Sequence, residues 1–186
     1  MTRFPTPKLA MAVFIASETV FFAFLIAAYV YFYGAVVHGP SASNSLDPPR
    51  TLIFTLCLLG SSATLWIGER RLAAGQRRAF RRWLIATIVL GAVFIAGQAM
   101  EYIGLLSSRV NPARNLFGAT FFTLTGFHGL HVVCGLIALS ALLILTFFRG
   151  FGTREGVGIG AISMYWHFVD AVWIVIFSLV YLTVWL

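Results

Sequence analysis

Charge is what this sequence has least of. Asp, Glu, Lys and Arg make up 10% of its 186 residues, where a soluble domain usually carries about 25%. With 60% apolar residues and a mean hydropathy of +0.90, the composition is that of an integral membrane protein with little soluble mass. Cysteine is equally sparse. Cys57 and Cys134 both fall in apolar runs, where a free thiol is expected as a small buried apolar group. No Cys-x-x-Cys, Cys-x-x-Cys-His or Glu-x-x-His occurs. That removes the usual sequence signatures of zinc, c-type haem and di-iron carboxylate sites. There is no internal repeat and no soluble domain. The first apolar run is too long for a cleavable signal peptide and lacks a small-residue cleavage pattern, so none is expected. The net charge of +7 does not call for nucleic acid. Most of the arginines sit in short loops between apolar runs, where the positive-inside rule accounts for them.

What the chain does have is long apolar runs. A membrane span needs about 20 mostly apolar residues, and five can be placed, at about 11–33, 51–68, 83–106, 117–148 and 162–186. The fold class is therefore all-α, a single domain of five transmembrane helices. The fourth span is long enough to tilt or protrude, and the second is near the lower limit. Gly34 to Arg50 is rich in Gly, Pro, Ser and Asn, which is loop chemistry. Pro48-Pro49 suits a helix start. Asn111-Pro112 breaks the chain before the fourth span, and glycines from Gly150 to Gly160 loosen the approach to the fifth. With five spans, Arg3, Lys8, Arg70, Arg71, Arg77, Arg78, Arg81, Arg82, Arg149 and Arg154 share one side. Arg50, Arg109 and Arg114 lie on the other. The N-terminus is accordingly expected in the cytoplasm and the C-terminus outside.

The chemistry lies in the few polar residues placed inside these spans. An ionisable side chain in hydrocarbon costs roughly 2.5–3.5 kcal/mol on insertion scales and usually has a partner or a task. Tyr165-Trp-His-Phe-Val-Asp-Ala-Val-Trp173 carries His167 and Asp170 three apart, on one helix face. Trp166 and Trp173 repeat at seven, which marks them as candidates for a subunit interface. His128 and His131, in Thr125-Gly-Phe-His-Gly-Leu-His131, are also three apart. They are read as interhelical hydrogen-bonding groups, with Gly126, Gly129 and Gly135 permitting close approach. Glu18 lies in Phe14-Ile-Ala-Ser-Glu-Thr-Val-Phe-Phe22. It is a candidate for protonation or lipid contact, with Ser17 or Thr19 as the bland hydroxyl partner. Gln98 and Glu101, followed by Tyr102, sit near the end of the third span. There the alternatives are an interfacial cap and a proton or lipid role.

Four stretches occur in order: Phe14 to Phe22, Gln98-Ala-Met-Glu-Tyr102, Ala119-Thr-Phe-Phe-Thr-Leu-Thr-Gly-Phe-His-Gly-Leu-His-Val132 and Tyr165 to Trp173. Over nearly its whole length the chain resembles subunit III of the haem–copper oxidases. The carboxylate at Glu18 favours the cytochrome c oxidase branch. The resemblance implies a non-catalytic subunit with no redox cofactor of its own, in a complex whose other subunits hold haems and copper. It would pack on subunit I, support proton uptake, protect the centre during turnover and hold phospholipid. The electron donor to the complex would be cytochrome c or a quinol. The expected location is a bacterial plasma membrane, with the mitochondrial inner membrane as the alternative. Longer family members have two more helices before the Glu18 span and a lipid-holding cleft, so a cleft made by this chain alone is not expected. Alternatives within the superfamily are subunit III of a quinol oxidase and the related subunit of nitric-oxide reductases. Outside it are a small transporter relaying protons through Glu18, Glu101 and Asp170, and a haem-binding membrane protein using His128, His131 and His167.

Overall fold

The computed structural model describes residues 6–33, 48–107, 116–148 and 155–181. Among them are five α-helices: α1 (Thr6–Tyr33), α2 (Pro48–Ala73), α3 (Arg77–Ser107), α4 (Leu116–Leu145) and α5 (Glu155–Val180). All five are long and apolar enough to cross a membrane, so the chain is an integral membrane bundle of transmembrane helices. In hydrocarbon a helix is one of the few ways to satisfy every backbone polar group within its own segment.

The helices overrun the apolar runs at several ends, including the start of α1 at Thr6. α2 continues past position 68 through Glu69, Arg70 and Arg71 to Ala73. Its end is set by Gly75, whose φ of 77° is a conformation that costs other residues about 1–2 kcal/mol. Gly75 N–H donates to the Leu72 carbonyl and Gln76 N–H to that of Arg71, both at 2.8 Å, which is a Schellman stop. α3 then starts at Arg77, well before the apolar run. α5 begins at Glu155, so Gly156, Gly158 and Gly160 lie inside its first turns rather than in a loop. Gly160 has a packing reason: a Cβ there would stand 2.6 Å from Lys8 Cε on α1. α4 is shorter than its span, ending at Leu145. Arg81 of α3 closes that end, donating to Thr146 Oγ1 at 3.2 Å and to the Thr146 carbonyl. The loops at 34–47 and around Asn111, and the tail at 182–186, lie outside the described residues.

α2 and α3 form the most closely paired hairpin. α5 packs against α1, α2 and α4, while α4 also meets α1 and α3. α5 is the most enclosed span and α1 the least. The core is a ladder of aromatic side chains projecting from α5. Trp166, Trp173 and Tyr181 are all fully buried. The Trp166 indole N–H donates to Ser61 Oγ on α2 at 2.9 Å. Its ring fills a slot between Gly91 of α3 and Gly135 of α4, where added Cβ atoms would stand 2.9 and 2.7 Å away. One heptad on, Trp173 donates to Thr55 Oγ1 of α2 at 3.0 Å. It meets Phe94 of α3 and stacks on His128 of α4, both at 4.8 Å. Tyr181 OH donates to Glu101 Oε2 of α3 at 2.7 Å and lies 6.5 Å from Phe121 of α4. Each rung thus ties α5 to at least two neighbours.

Candidate functional site

Trp166 and Trp173 do not stand at a subunit interface. Both are buried inside this chain with their N–H groups satisfied, so they belong to its core. A seven-residue aromatic repeat marks a packing face, and in α5 that face points inward because the helix is central.

The ionisable residues separate into three clusters. In the first, α1 brings Glu18 to His131 of α4, with Oε2 and Nε2 3.1 Å apart and both side chains largely buried. Ser17 and Thr19 are not the partners of Glu18; their hydroxyls donate to the carbonyls of Phe14 and Ile15 on their own helix. His131 Nδ1 lies 2.7 Å from the Phe127 carbonyl oxygen. A carbonyl only accepts, so Nδ1 carries a hydrogen. The Nε2–Oε2 contact then contains one proton in either of two forms, imidazolium with carboxylate or neutral imidazole with carboxylic acid. Tyr165 OH donates to the His131 carbonyl at 2.9 Å, and Phe22 packs edge-on to the imidazole at 5.0 Å. The pair ties α1 to α4 through a single Nε2–Oε2 contact.

In the second cluster, Ser62 of α2 reaches two groups of α5. Its Oγ lies 2.9 Å from His167 Nδ1 and donates to Asp170 Oδ2. His167 is half-buried, whereas Asp170 is 4% exposed, and its Oδ1 has no hydrogen-bond partner among the described residues. The third cluster surrounds Glu101, which accepts from Thr51 at 3.1 Å, Gln98 at 3.5 Å and Tyr181. Tyr102 turns inward to Thr125 Oγ1 at 2.6 Å rather than joining an interfacial belt. Glu101, Arg50, Thr51 and Met100 line a pocket of about 110 Å³ between α2 and α3.

His128 is the exception among the expected hydrogen-bonding histidines. Neither ring nitrogen has a hydrogen-bond partner among the described residues, and the ring is held by stacking on Trp173 and by Phe94 at 6.0 Å. His131 and His167 bond to different helices, and no group of three His, Cys, Asp or Glu able to hold a metal occurs among the described residues. Cys57 is half-buried, and Cys134 faces outward from the bundle rather than into it.

Sequence reasoning missed α2 as the hydrogen-bonding partner. Thr51, Thr55, Ser61 and Ser62 receive or supply the contacts of Glu101, Trp173, Trp166, His167 and Asp170. The signal was present: positions 51, 55, 58, 62 and 65 recur at helical spacing, with hydroxyls on an otherwise apolar face. In a membrane, hydroxyls on one stripe are the groups that bond across helices.

A helical membrane bundle with paired buried carboxylates and histidines, and no metal cluster among its described residues, is the class that these features define. The chain belongs to the cytochrome c oxidase subunit III family, whose profile matches residues 6–185. It is 37% identical over 172 residues to a probable cytochrome c oxidase subunit 3 of Mycobacterium tuberculosis (strain H37Rv), covering 91% of this chain and 84% of that one. It is 35% identical to cytochrome c oxidase subunit 3 of Corynebacterium diphtheriae, with the same coverage. A cytochrome bo(3) ubiquinol oxidase subunit 3 of Pseudomonas aeruginosa is 34% identical over 169 residues, covering 91% of this chain and 81% of that one. The chain is therefore a subunit III of a haem–copper oxidase, a member of a terminal oxidase complex of the respiratory chain.

Proposed function

We propose that this chain is the accessory subunit III of a cytochrome c oxidase in a bacterial plasma membrane. In this reading it packs on subunit I, which with other subunits carries the haems and copper, and supports proton uptake by that subunit. The arginine-rich end faces the cytoplasm, and phospholipid occupies the flanks of the bundle. The observation that carries the reading is the Glu18–His131 pair, a carboxyl and an imidazole joined between α1 and α4 inside the membrane spans. Ionisable groups are costly in hydrocarbon, and where they occur inside a span they usually serve a function. Cytochrome c is the donor favoured by the relatives named as cytochrome c oxidase subunits. The ubiquinol oxidase relative keeps quinol as the competing donor.

The test is purification in mild detergent. The chain should co-elute with a haem-bearing subunit, and the complex should oxidise reduced cytochrome c faster than a quinol. The chain separated from its partner should be colourless. Glu18→Ala should leave the haem content of the complex unchanged while lowering proton pumping or the number of turnovers before inactivation. Unchanged pumping and lifetime in that variant would reduce the pair to a tie between helices. Haem retained by the separated chain would remove the accessory reading.

A further inference from the structure

The second cluster supports more than helix packing. Trp166 and Trp173 already tie α5 to α2 through neutral hydroxyls. An additional tie made from a carboxyl and an imidazole is the expensive way to make such a contact in a membrane. Its geometry has a property the neutral ties lack. Ser62 Oγ lies within hydrogen-bonding distance of both His167 Nδ1 and Asp170 Oδ2. A hydroxyl has one proton, so it donates to one of these groups and accepts from the other.

Two arrangements satisfy that rule. In one, His167 Nδ1–H donates to Ser62, Ser62 donates to an ionised Asp170, and His167 Nε2 is a bare lone pair. In the other, a protonated Asp170 donates to Ser62, Ser62 donates to Nδ1, and Nε2 carries the hydrogen. They differ by one proton. We propose that Ser62, His167 and Asp170 form a proton relay, which takes a proton at His167 Nε2 on the flank of α2 and α5 and lodges it on Asp170. A proton bonds to Nε2, and the Nδ1–H bond breaks as its proton passes to Ser62 Oγ. The original hydroxyl proton of Ser62 passes to Asp170 Oδ2. One N–H and one O–H bond form for the N–H bond lost. The added positive charge is cancelled by the carboxylate, and no charge is left in hydrocarbon.

The burial of His167 and Asp170 fits this direction. His167, at the entry, is half-buried, and Asp170, at the end, is enclosed. Among the described residues, the Asp170 Oδ1 atom has no partner that would fix the carboxyl in its ionised form. Glu69 lies seven residues beyond Ser62 on α2, about 10 Å along the axis toward the arginine-rich end. Of the other charged or titratable groups on helices packed against α5, Arg50 of α2 points to Met100, Arg70 lies over Trp66 and Arg71 donates to Gln76, while Cys57 of α2 is half-buried, Cys134 of α4 faces outward and Tyr29 of α1 is buried. Lys8 lies over Gly160, Glu18 and His131 bind each other, and His128 is stacked on Trp173. Tyr165 of α5 itself donates to the His131 carbonyl.

The experiment is infrared difference spectroscopy on the intact complex that carries the chain, after a rapid pH step. It reads a carboxyl directly and does not depend on whether the complex pumps protons or on its electron donor. A protonated-carboxyl C=O band that grows as pH falls, and that is missing in Asp170→Asn, is the expected result. Ser62→Ala and His167→Gln should slow the appearance of that band by roughly a hundredfold, the low end of what a positioned proton-transfer group contributes. The amount of chain in the complex, measured alongside, should stay the same. If Asp170→Asn fails to assemble, the rates in the other two variants decide. A band indifferent to Asp170→Asn, or a rate unchanged in Ser62→Ala and His167→Gln, would overturn the relay and leave a static contact.

Discussion

Trp166 is the residue on which most of the bundle converges. Its ring lies between two glycines on different helices, and its N–H is spent on a third. Two substitutions separate these roles. Gly135→Ala would place a Cβ 2.7 Å from ring atoms of Trp166. The ring is fully buried and cannot swing aside, so overpacking should cost about 1–3 kcal/mol. The thermal unfolding midpoint in detergent should fall. Trp166→Phe in the same chain should return part of that loss, because contacting residues are not additive. Equal, independent losses in the two single variants and their combination would show that the slot is not as tight as described. Ser61→Ala strands the indole N–H in the core instead, and about 1 kcal/mol is the expected cost of one interhelical hydrogen bond in a membrane.

Among the elements, all five helices were legible from apolar length alone, because hydrocarbon leaves the backbone little choice. Their ends were less so. The stop of α2 depends on Gly75, one glycine among 17, and the stop of α4 depends on an arginine 65 residues away. No local pattern announces the second. The same division holds for the polar groups. That His131, His167 and Asp170 would make contacts between helices followed from the cost of leaving them alone, whereas Glu18, expected to act on protons or lipid or to rest on Ser17 or Thr19, meets His131. Which helix would answer did not, since pairing is set by the order of packing around α5. His128 found an aromatic stack rather than a donor or acceptor for the same reason. The turn between α2 and α3 gives an element-scale prediction. Gly75→Ala forces an L side chain into φ 77°, although nothing lies within 4 Å of the added atom. The cost is therefore backbone strain alone, about 1–2 kcal/mol. Gly75→Asn should recover much of it, since Asn tolerates this region. Equal destabilisation by Ala and Asn would point to a lost contact instead of strain.

At the scale of the whole molecule, the six arginines flanking the α2–α3 turn gather at one end of that hairpin. Arg70 lies over the Trp66 ring at 3.6 Å, and Arg81 over that of Phe147 at 4.5 Å while also closing α4. Arg71 donates to Gln76 across the turn at 3.4 Å. Three of the six arginines flanking the α2–α3 turn are thus fixed where aromatic rings and chain ends meet the membrane surface, a level that suits both. The other three, Arg77, Arg78 and Arg82, form a basic surface with the turn. Moving this end across a membrane during insertion would carry six guanidinium groups through hydrocarbon, at roughly 2.5–3.5 kcal/mol each on insertion scales. The opposite end of the same hairpin has Arg50. The turn is therefore predicted to stay in the cytoplasm. A cysteine at Gln76, in a chain whose Cys57 and Cys134 are replaced by alanine, should be shielded from a membrane-impermeant maleimide in intact cells. It should react once the inner membrane is opened. Labelling of intact cells at Gln76→Cys would reverse the orientation and place the α1–α2 connection on the cytoplasmic side instead.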